Sequence, residues 1–523
     1  MPMLTLNIDG QEVKVEKGTS VIQAAEKLGI YIPRYCYHPG LSLAGSCRMC
    51  LVEIEGPPVL QIACYTMAQD GMKVTTNSER VIKARQSMLE FLLSNHPLDC
   101  PVCDQSGECD LQNFYMEHGQ YDSRFAEDKL KNKKAFPIGP HVLLDQERCI
   151  QCTRCVRFTE EVSKSNELGM FNRGNHSVID LYPGTVLDNP YSGNVIDICP
   201  VGALTEKEFR FQCRVWYLET EESICNGCSR GCNINVHFNT KRPFKAGGRR
   251  IMRIKPRFNP EVNQWWICDR GRFGYRFADD ERIEYPALKK DNILIDTEWD
   301  QALSQAASLL KNTDPDQIGV IVSPQMSNEE LVICKALFVD HMKIENIAFN
   351  NPWEEPGQED EILMKSDLNP NTKGAIEIGF KTSTDKVLEK VSKGLIRVLY
   401  IFRHDFFADQ AVKLLSSAES IIYQGVNWNP TAESAQVVLP GATHFEKDGT
   451  FTNFEGRIQK FKQAFLPLED SRNDCQILLD LAEKLGIELK VSEESLFESW
   501  RGYSPEEIDE FGTLLTEEPV TQT

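Results

Sequence analysis

The chain has 523 residues, 57 of them basic and 77 acidic, for a formal charge of −20. That length predicts three or four domains, the acidic balance argues against a general nucleic-acid binder, and no run of eighteen apolar residues is present to span a membrane. The start, Met1-Pro2-Met3-Leu4, carries neither a charged segment followed by an apolar one nor an Arg- and Ser-rich leader, so we expect no targeting signal and a soluble cytosolic chain.

From the N-terminus, Leu4, Leu6 and Ile8 alternate, Asp9-Gly10 offers a tight turn, and Val13 and Val15 resume the alternation, which predicts a β-hairpin. Ser20 and Gln23 form a capping-box pattern ahead of a short helix that Gly29 can end. Cys36, Cys47, Cys50 and Cys64 follow: a close pair, an upstream cysteine and a distant fourth, as in plant-type [2Fe–2S] centres, though with a longer first gap. Hairpin, helix and cysteine loop is the ferredoxin-like β-grasp order. A structural zinc site is the other reading.

Val81, Ala84, Met88, Leu89 and Leu92 lie at helical spacing, so a helix over Val81–Leu93 should end just before His96, where Pro97 stops it. His96, Cys100, Cys103 and Cys109 then make a four-ligand set. A neutral imidazole among thiolates should raise a cluster's potential, and Cys3His zinc is the rival. Cys149, Cys152 and Cys155 match the bacterial ferredoxin run, with Cys199-Pro200 as the usual remote fourth ligand after forty-three intervening residues. Cys225, Cys228, Cys232 and a distant Cys268 suit either [4Fe–4S] or zinc.

Fifteen of the eighteen cysteines thus fall into ligand groups, which belongs to a reducing compartment and not to a disulfide scaffold. Cys213, Cys334 and Cys475 read as buried free thiols. A basic stretch, Lys241, Arg242, Lys245, Arg249, Arg250, Arg253, Lys255 and Arg257, reads first as a charged surface loop, next as compensation for an anionic cluster. After Cys268 the pattern becomes α/β. We expect helices at Trp299–Leu310 (capped by Thr297), Glu329–His341 and Ala408–Leu415, and strands at Ile318–Val322, Ile396–Phe402 and Ile421–Gln424. Asn350–Lys373 reads as a loop and Ser492–Thr523 as an acidic, solvated tail.

The runs Pro33-Arg34-Tyr35-Cys36-Tyr37-His38-Pro39-Gly40, Gly45-Ser46-Cys47-Arg48-Met49-Cys50, His96 to Gln112, Arg148-Cys149-Ile150-Gln151-Cys152-Thr153-Arg154-Cys155-Val156-Arg157-Phe158 and Ser192 to Thr205 occur in that order. Over residues 1–275 this resembles the large iron–sulfur subunit of NADH–quinone oxidoreductase, respiratory complex I. The resemblance implies one [2Fe–2S] cluster on Cys36, Cys47, Cys50 and Cys64. It also implies three [4Fe–4S] clusters: one on His96, Cys100, Cys103 and Cys109, one on Cys149, Cys152, Cys155 and Cys199, and one on Cys225, Cys228, Cys232 and Cys268. The last is similar to an extra cluster that only some members carry, off the main electron path. The rest resembles, more weakly, the molybdopterin-oxidoreductase superfamily, best at Thr431–Lys460, where glycine-rich turns either cradle a pterin pyrophosphate or are the remains of a scaffold. Asp269-Arg270-Gly271 follows the last cysteine where those enzymes often have a lysine, so we expect a shortened domain without molybdopterin.

The fold expected is therefore α+β ferredoxin-like (β-grasp) and Fe–S cluster domains followed by an α/β molybdopterin-oxidoreductase-like domain. The expected boundaries are 1–80 for the [2Fe–2S] domain, 81–217 for two [4Fe–4S] sets, 218–275 for the fourth set, 276–491 for the α/β domain and 492–523 for the tail. The implied function is an electron relay with no catalytic site of its own. It would pass electrons from a flavin-containing NADH-oxidising subunit through the first, third and second sets, in that order, to a small two-[4Fe–4S] subunit. Other peripheral-arm subunits, no nucleic acid, and a membrane reached only through the complex, on the cytoplasmic side of a bacterial inner membrane, complete the expectation. The alternatives are a molybdenum or tungsten formate dehydrogenase and the electron-transfer subunit of an NAD-reducing hydrogenase.

Overall fold

The computed structural model describes residues 3–242, 244–349, 359–380, 384–403, 417–489 and 505–514. The chain packs as two units, Met1–Leu218 and Glu219–Thr523.

The first unit opens on the expected hairpin. Strands Met3–Ile8 and Gln11–Glu16 pair antiparallel, with Leu4 opposite Val15 and Leu6 opposite Val13. Asp9 and Gly10 both take positive φ, 49° and 87°, which lets two residues reverse the chain. Met3–Ile8 then pairs in parallel with Lys73–Thr75, which pairs antiparallel with Leu51–Ile54, and Gln61–Ile62 closes the five-stranded sheet. The helix Val21–Lys27 begins at a capping box between Ser20 and Gln23. It buries Val21, Ile22, Ala24 and Ala25 against Leu6, Ile8, Val52, Ile54 and Val74. A longer helix, Glu79–Asn95, is N-capped by Ser78 and ends at His96. The helix Asp110–His118 starts at Cys109. A small sheet of Leu204–Glu206, Val142–Leu144 and Phe136–Pro137 carries the third cysteine set, and the long insertion forms a hairpin, Leu168–Phe171 with Val178–Leu181.

In the second unit, Glu219–Ile224, Asn233–Phe238 and Ile251–Pro256 form an antiparallel sheet beside the fourth cysteine set. The main sheet has seven strands, in the order Ile293–Asp296, Ala287–Lys290, Val437–Pro440, Ser420–Gly425, Val398–Phe402, Ile318–Val322 and Ile347–Phe349. The last five run parallel, and the first two add an antiparallel hairpin at the edge. Both faces are covered, as parallel strands require. Val398, Tyr400 and Phe402 face a core built with the helices Trp299–Lys311, Asn328–Cys334 and Asp474–Leu485. Leu399 and Ile401 face a second core with Val387, Val391 and Ala432 from the helices Asp385–Ser392 and Pro430–Ser434.

Four local expectations need correction. The N-cap position of the helix at Trp299 is Glu298, with no side-chain capping bond, and the Thr297 hydroxyl bonds the Gln301 side chain instead. The Glu329–His341 helix starts one residue earlier, on a Ser327–Glu330 capping box, and widens into π-turns from Lys335 to His341. The loop expected to reach Lys373 gives way to a helix, Thr372–Ile378, while residues 350–358 lie outside the described residues. The tail is not wholly solvated: Thr513–Leu514 pairs with Arg457 and Ile458, and Ile508 is buried. The expected helix Ala408–Leu415 and the rest of the tail lie outside the described residues. Cys213, Cys334 and Cys475 are buried, as a core-thiol reading requires.

The basic stretch is only partly a surface loop. Arg250 bonds Asp279 and Glu446, Arg253 is buried in the strand Ile251–Pro256, and Arg257 faces Glu222 at 3.7 Å.

Candidate metal centres

The second and fourth sets sit where regular elements end, whereas Cys36 and Cys47 lie on the long connection between Val21–Lys27 and Leu51–Ile54, and Cys155 lies in the short helix Arg154–Arg157. In the first set Cys36, Cys50 and Cys64 are buried. Arg48, at φ 58°, turns the chain between Cys47 and Cys50. The Cys36 amide donates to Cys47 Sγ at 3.5 Å. The thiols work in couples, Cys36 with Cys47 and Cys50 with Cys64. Its hydrogen bond with Cys47 lowers Cys36 to about 5, and that same bond, followed by burial, pushes Cys47 up. Cys64 is likewise lowered by Cys50, which is itself raised.

In the second set His96 is the C-cap of the helix Glu79–Asn95. Its Nδ1 is buried without a hydrogen-bond partner, and burial holds the ring's pKa down to about 4, so the imidazole is neutral, as a ligand must be. His96, Cys100 and Cys109 line one cavity of 370 Å³, while Cys103 is close enough to Cys109 to raise its pKa further. Burial comes first in lifting Cys109 to about 11. Cys100 is exposed, flanked by exposed Leu98 and Val102.

All four residues of the third set line one small apolar cavity with Leu144, Ile179 and Leu204. Gln151 and Thr153 take left-handed φ of 55° and 60°, and the Gln151 amide donates to Cys149 Sγ at 3.4 Å. The fourth set belongs to the second unit. Cys225, Cys228 and Cys232 lie on the turn between Glu219–Ile224 and Asn233–Phe238, and Cys268 caps the short helix Asp269–Phe273. Gly227 donates to Cys225 Sγ and Gly271 to Cys268 Sγ, each at 3.4 Å. A methyl group on Gly271 would stand 2.8 Å from Cys225 Sγ.

The donor chemistry fits a cationic core. Burial, and then the charge of neighbouring thiolates, pushes up Cys149, Cys155, Cys225 and Cys232. Cys199 and Cys268 rise to about 12, with burial the largest cause. Thiols packed this way cannot ionise together unless a metal cation neutralises them, and metal binding is what deprotonates such a set. Among the described residues no group of three or more His, Cys, Asp or Glu side chains is gathered so as to hold a single ion.

Within the first unit the ligand loops are fastened to one another. Arg157 donates to Cys36 O at 2.6 Å and to Cys152 O at 3.3 Å, joining the first and third sets. Arg154 donates to Tyr37 O at 2.7 Å and Ile198 O at 3.1 Å. The Asp110 amide donates to Pro200 O at 3.0 Å, joining the second and third sets, and a methyl on Gly202 would overlap Cys103 Sγ. The second set is further held by Arg148, paired with Asp99 at 2.8 Å, and Arg214, which donates to Cys103 O at 2.6 Å. Sequence reasoning named candidate ligands and gave these arginines no role. For Arg148, Arg154 and Arg157 the signal available was their position inside and beside the Cys-x2-Cys-x2-Cys run, and Arg214 had none.

In the second unit a cavity of 460 Å³ adjoins Cys225 and is lined by Arg270, Tyr275, Arg403 and His444 among others. The glycine-rich segments Val437–Ala442 and Gly449–Gln459 do not line it. The residues just after the first of them, Thr443, His444 and Phe445, do.

The comparisons with known proteins follow the same order along the chain. Residues 1–79 match the 2Fe-2S iron-sulfur cluster binding domain, 85–124 the NADH-ubiquinone oxidoreductase-G iron-sulfur binding region, and 139–205 the ferredoxin-like domain of NADH-quinone oxidoreductase subunit 3. Residues 218–280 match the molybdopterin oxidoreductase Fe4S4 domain and 357–484 molybdopterin oxidoreductase. The NADH-quinone oxidoreductase-G protein of Rickettsia conorii is 30% identical over 93% of this chain and 88% of its own length. The mitochondrial NADH-ubiquinone oxidoreductase 78 kDa subunit of Neurospora crassa is 43% identical over 92% and 81%. Of the solved structures, a chain of an NAD⁺-reducing [NiFe]-hydrogenase is 32% identical over 40% of this chain and 91% of its own, at a TM-score of 0.37. Cluster-binding domains of both the 2Fe-2S and 4Fe-4S kinds are therefore present, and no helix among the described residues is long and apolar enough to cross a membrane. The chain belongs to the NADH-quinone oxidoreductase-G family, whose mitochondrial member is the 78 kDa subunit, and is an electron-relay subunit of that complex.

Proposed function

We propose that the four sets hold one [2Fe–2S] and three [4Fe–4S] clusters, and that electrons enter at the first set, pass to the third and leave from the second. When bound, the clusters supply one-electron carriers. The observation that carries the order is the chain of hydrogen bonds among loops: Arg157 ties Cys36 to Cys152, and Asp110 ties the Cys109 loop to Pro200. The second set is the one with an exposed ligand, Cys100, beside exposed Leu98 and Val102, which suits an exit to a partner. That partner is a small two-cluster subunit, and the donor is a flavin-containing NADH-oxidising subunit. The whole stands on the cytoplasmic side of a bacterial inner membrane. The chain's own part is to bury the ligands, hold His96 neutral and aim backbone amides at sulfur, which together set the potentials.

We assign the fourth set a filled cluster off this path, and the domain after it no molybdopterin. The domains follow as 1–80, 81–217, 218–275, 276–491 and 492–523. Iron and acid-labile sulfide assayed anaerobically in the purified complex test the assignment: about fourteen irons per chain are expected. A count of about ten, with Cys228→Ala leaving the spectrum unchanged, would remove the fourth cluster. Stoichiometric molybdenum or tungsten with formate oxidation would replace the relay by the dehydrogenase.

A further inference from the structure

Arg157 is buried, and its guanidinium spends every described bond on two ligand loops. Nη2 donates to Cys36 O at 2.6 Å and Cys152 O at 3.3 Å, Nη1 donates to Ser42 O, and Nε donates to Thr153 Oγ1 at 3.3 Å. Ser42 is held from the other side by Glu161, which accepts its amide at 2.8 Å. None of the bonds of Arg157 goes to a carboxylate. A buried cation without a carboxylate needs other negative charge close by, and this guanidinium sits on the carbonyl oxygens of Cys36 and Cys152. The rigid, planar fork of five N–H groups lets one side chain fix two backbones at set directions, where an ammonium offers a single rotating point charge.

We propose that Arg157 is a positioning residue for electron transfer between the first and third centres: it fixes the two ligand loops at one separation and places a shared positive charge between the two anionic sites. The proposal rests on the ligand assignment above. The step it serves moves one electron from the first centre to the third, with no bond made or broken and no proton transferred. Holding both carbonyls on one guanidinium keeps the path short and rigid. The shared charge favours the reduced, more negative state of each centre.

The test uses Arg157→Gln and Arg157→Lys in the assembled complex. Iron content, equilibrium EPR titration of both centres, and freeze-quench EPR after mixing with NADH are the readouts. Both variants should keep their iron and slow transfer from the first signal to the third by about tenfold, the scale of one lost charge-assisted hydrogen bond. The midpoint potentials of both centres should fall together in Arg157→Gln and hold in Arg157→Lys, which retains the charge. Purely structural packing would not separate the two variants this way. Full iron with unchanged transfer and unchanged potentials would overturn this proposal alone. Iron loss from both variants would overturn it too, leaving the guanidinium a fold element only. A wild-type complex lacking either EPR signal would overturn the ligand assignment first.

Discussion

The amide of Asp110 donates to the carbonyl of Pro200 at 3.0 Å, and each residue directly follows a candidate ligand, Cys109 and Cys199. Two sets ninety residues apart in sequence are therefore set against each other by a single backbone bond, with Gly202 packed onto Cys103 beside it. Neither loop can shift without disturbing the other.

Gly202→Ala tests that closeness. The added methyl would overlap Cys103 Sγ and lie 3.1 Å from Gln105 Cβ. The second centre should lose its iron, about four per chain, while the [2Fe–2S] signal survives. Iron assay with EPR reads both, and full iron content would show that the loop yields.

His96 should behave as a ligand and not as a helix cap alone. His96→Ala should empty or destabilise the second centre and slow NADH–quinone turnover, leaving the other signals visible. His96→Cys should keep the centre but lower its potential, because an added thiolate disfavours the electron-rich state. An unshifted titration in both variants would return His96 to the helix end.

A stability prediction concerns the second unit. Lys447 is paired with Glu330 and, at 3.0 Å, with Asp474, while Arg403 pairs with Asp474 as well. Glu330, Lys447 and Asp474 are buried and Arg403 nearly so. Lys447→Met leaves two carboxylates with one cation, and should cost about 3–5 kcal/mol. Hydrogen exchange in the strand Val398–Phe402 during denaturant titration of the full chain measures it. A loss under about 1 kcal/mol would mean that a carboxylate takes up a proton at little cost.

Acid should weaken the same unit through His444. Burial, then Lys447 and Arg403, lower its pKa to about 3, so the folded imidazole stays neutral where the unfolded one, at 6.5, is charged. Between those values the unfolded state binds more protons, so stability falls as pH drops from about 6.5 toward 3, by about one proton per molecule. Asp474, held low despite burial by Arg403 and Lys447, adds its own loss only below the ordinary carboxylate range. His444→Phe, set among Phe277, Phe445, Phe451 and Phe461, should flatten the slope above about pH 4.5. An unchanged slope would place the proton elsewhere.

The β-grasp hairpin and its helix were legible because both are written in short-range pattern: alternation around Asp9-Gly10, and Ser20 with Gln23. The candidate ligands were named from Cys spacing, which is short-range too. The strand Ile318–Val322 was legible for a related reason, as an apolar run too short for a helix. What could not be read was long-range. Arg157 and Cys36 are 121 residues apart, and nothing in either segment names the other. The same holds for Thr513–Leu514, an acidic-tail segment by composition that takes its strand form from pairing with Arg457 and Ile458. The cap at Trp299 was misplaced because Thr297 and Glu298 both precede the helix, and the choice depends on where the Thr297 hydroxyl finds a partner.

Thr153 stands at φ 60°, a conformation that β-branched side chains resist at a cost of about 1–3 kcal/mol. It is kept there by surroundings that include Arg157, whose Nε bonds its hydroxyl while the same guanidinium reaches Cys36. The third ligand loop is therefore not portable. A segment cut out from Arg148 to Pro200 would contain all four cysteines in their spacing and still lack the grip on Ser42 and Cys36 that holds its turn in place. Its geometry is a property of the two loops together.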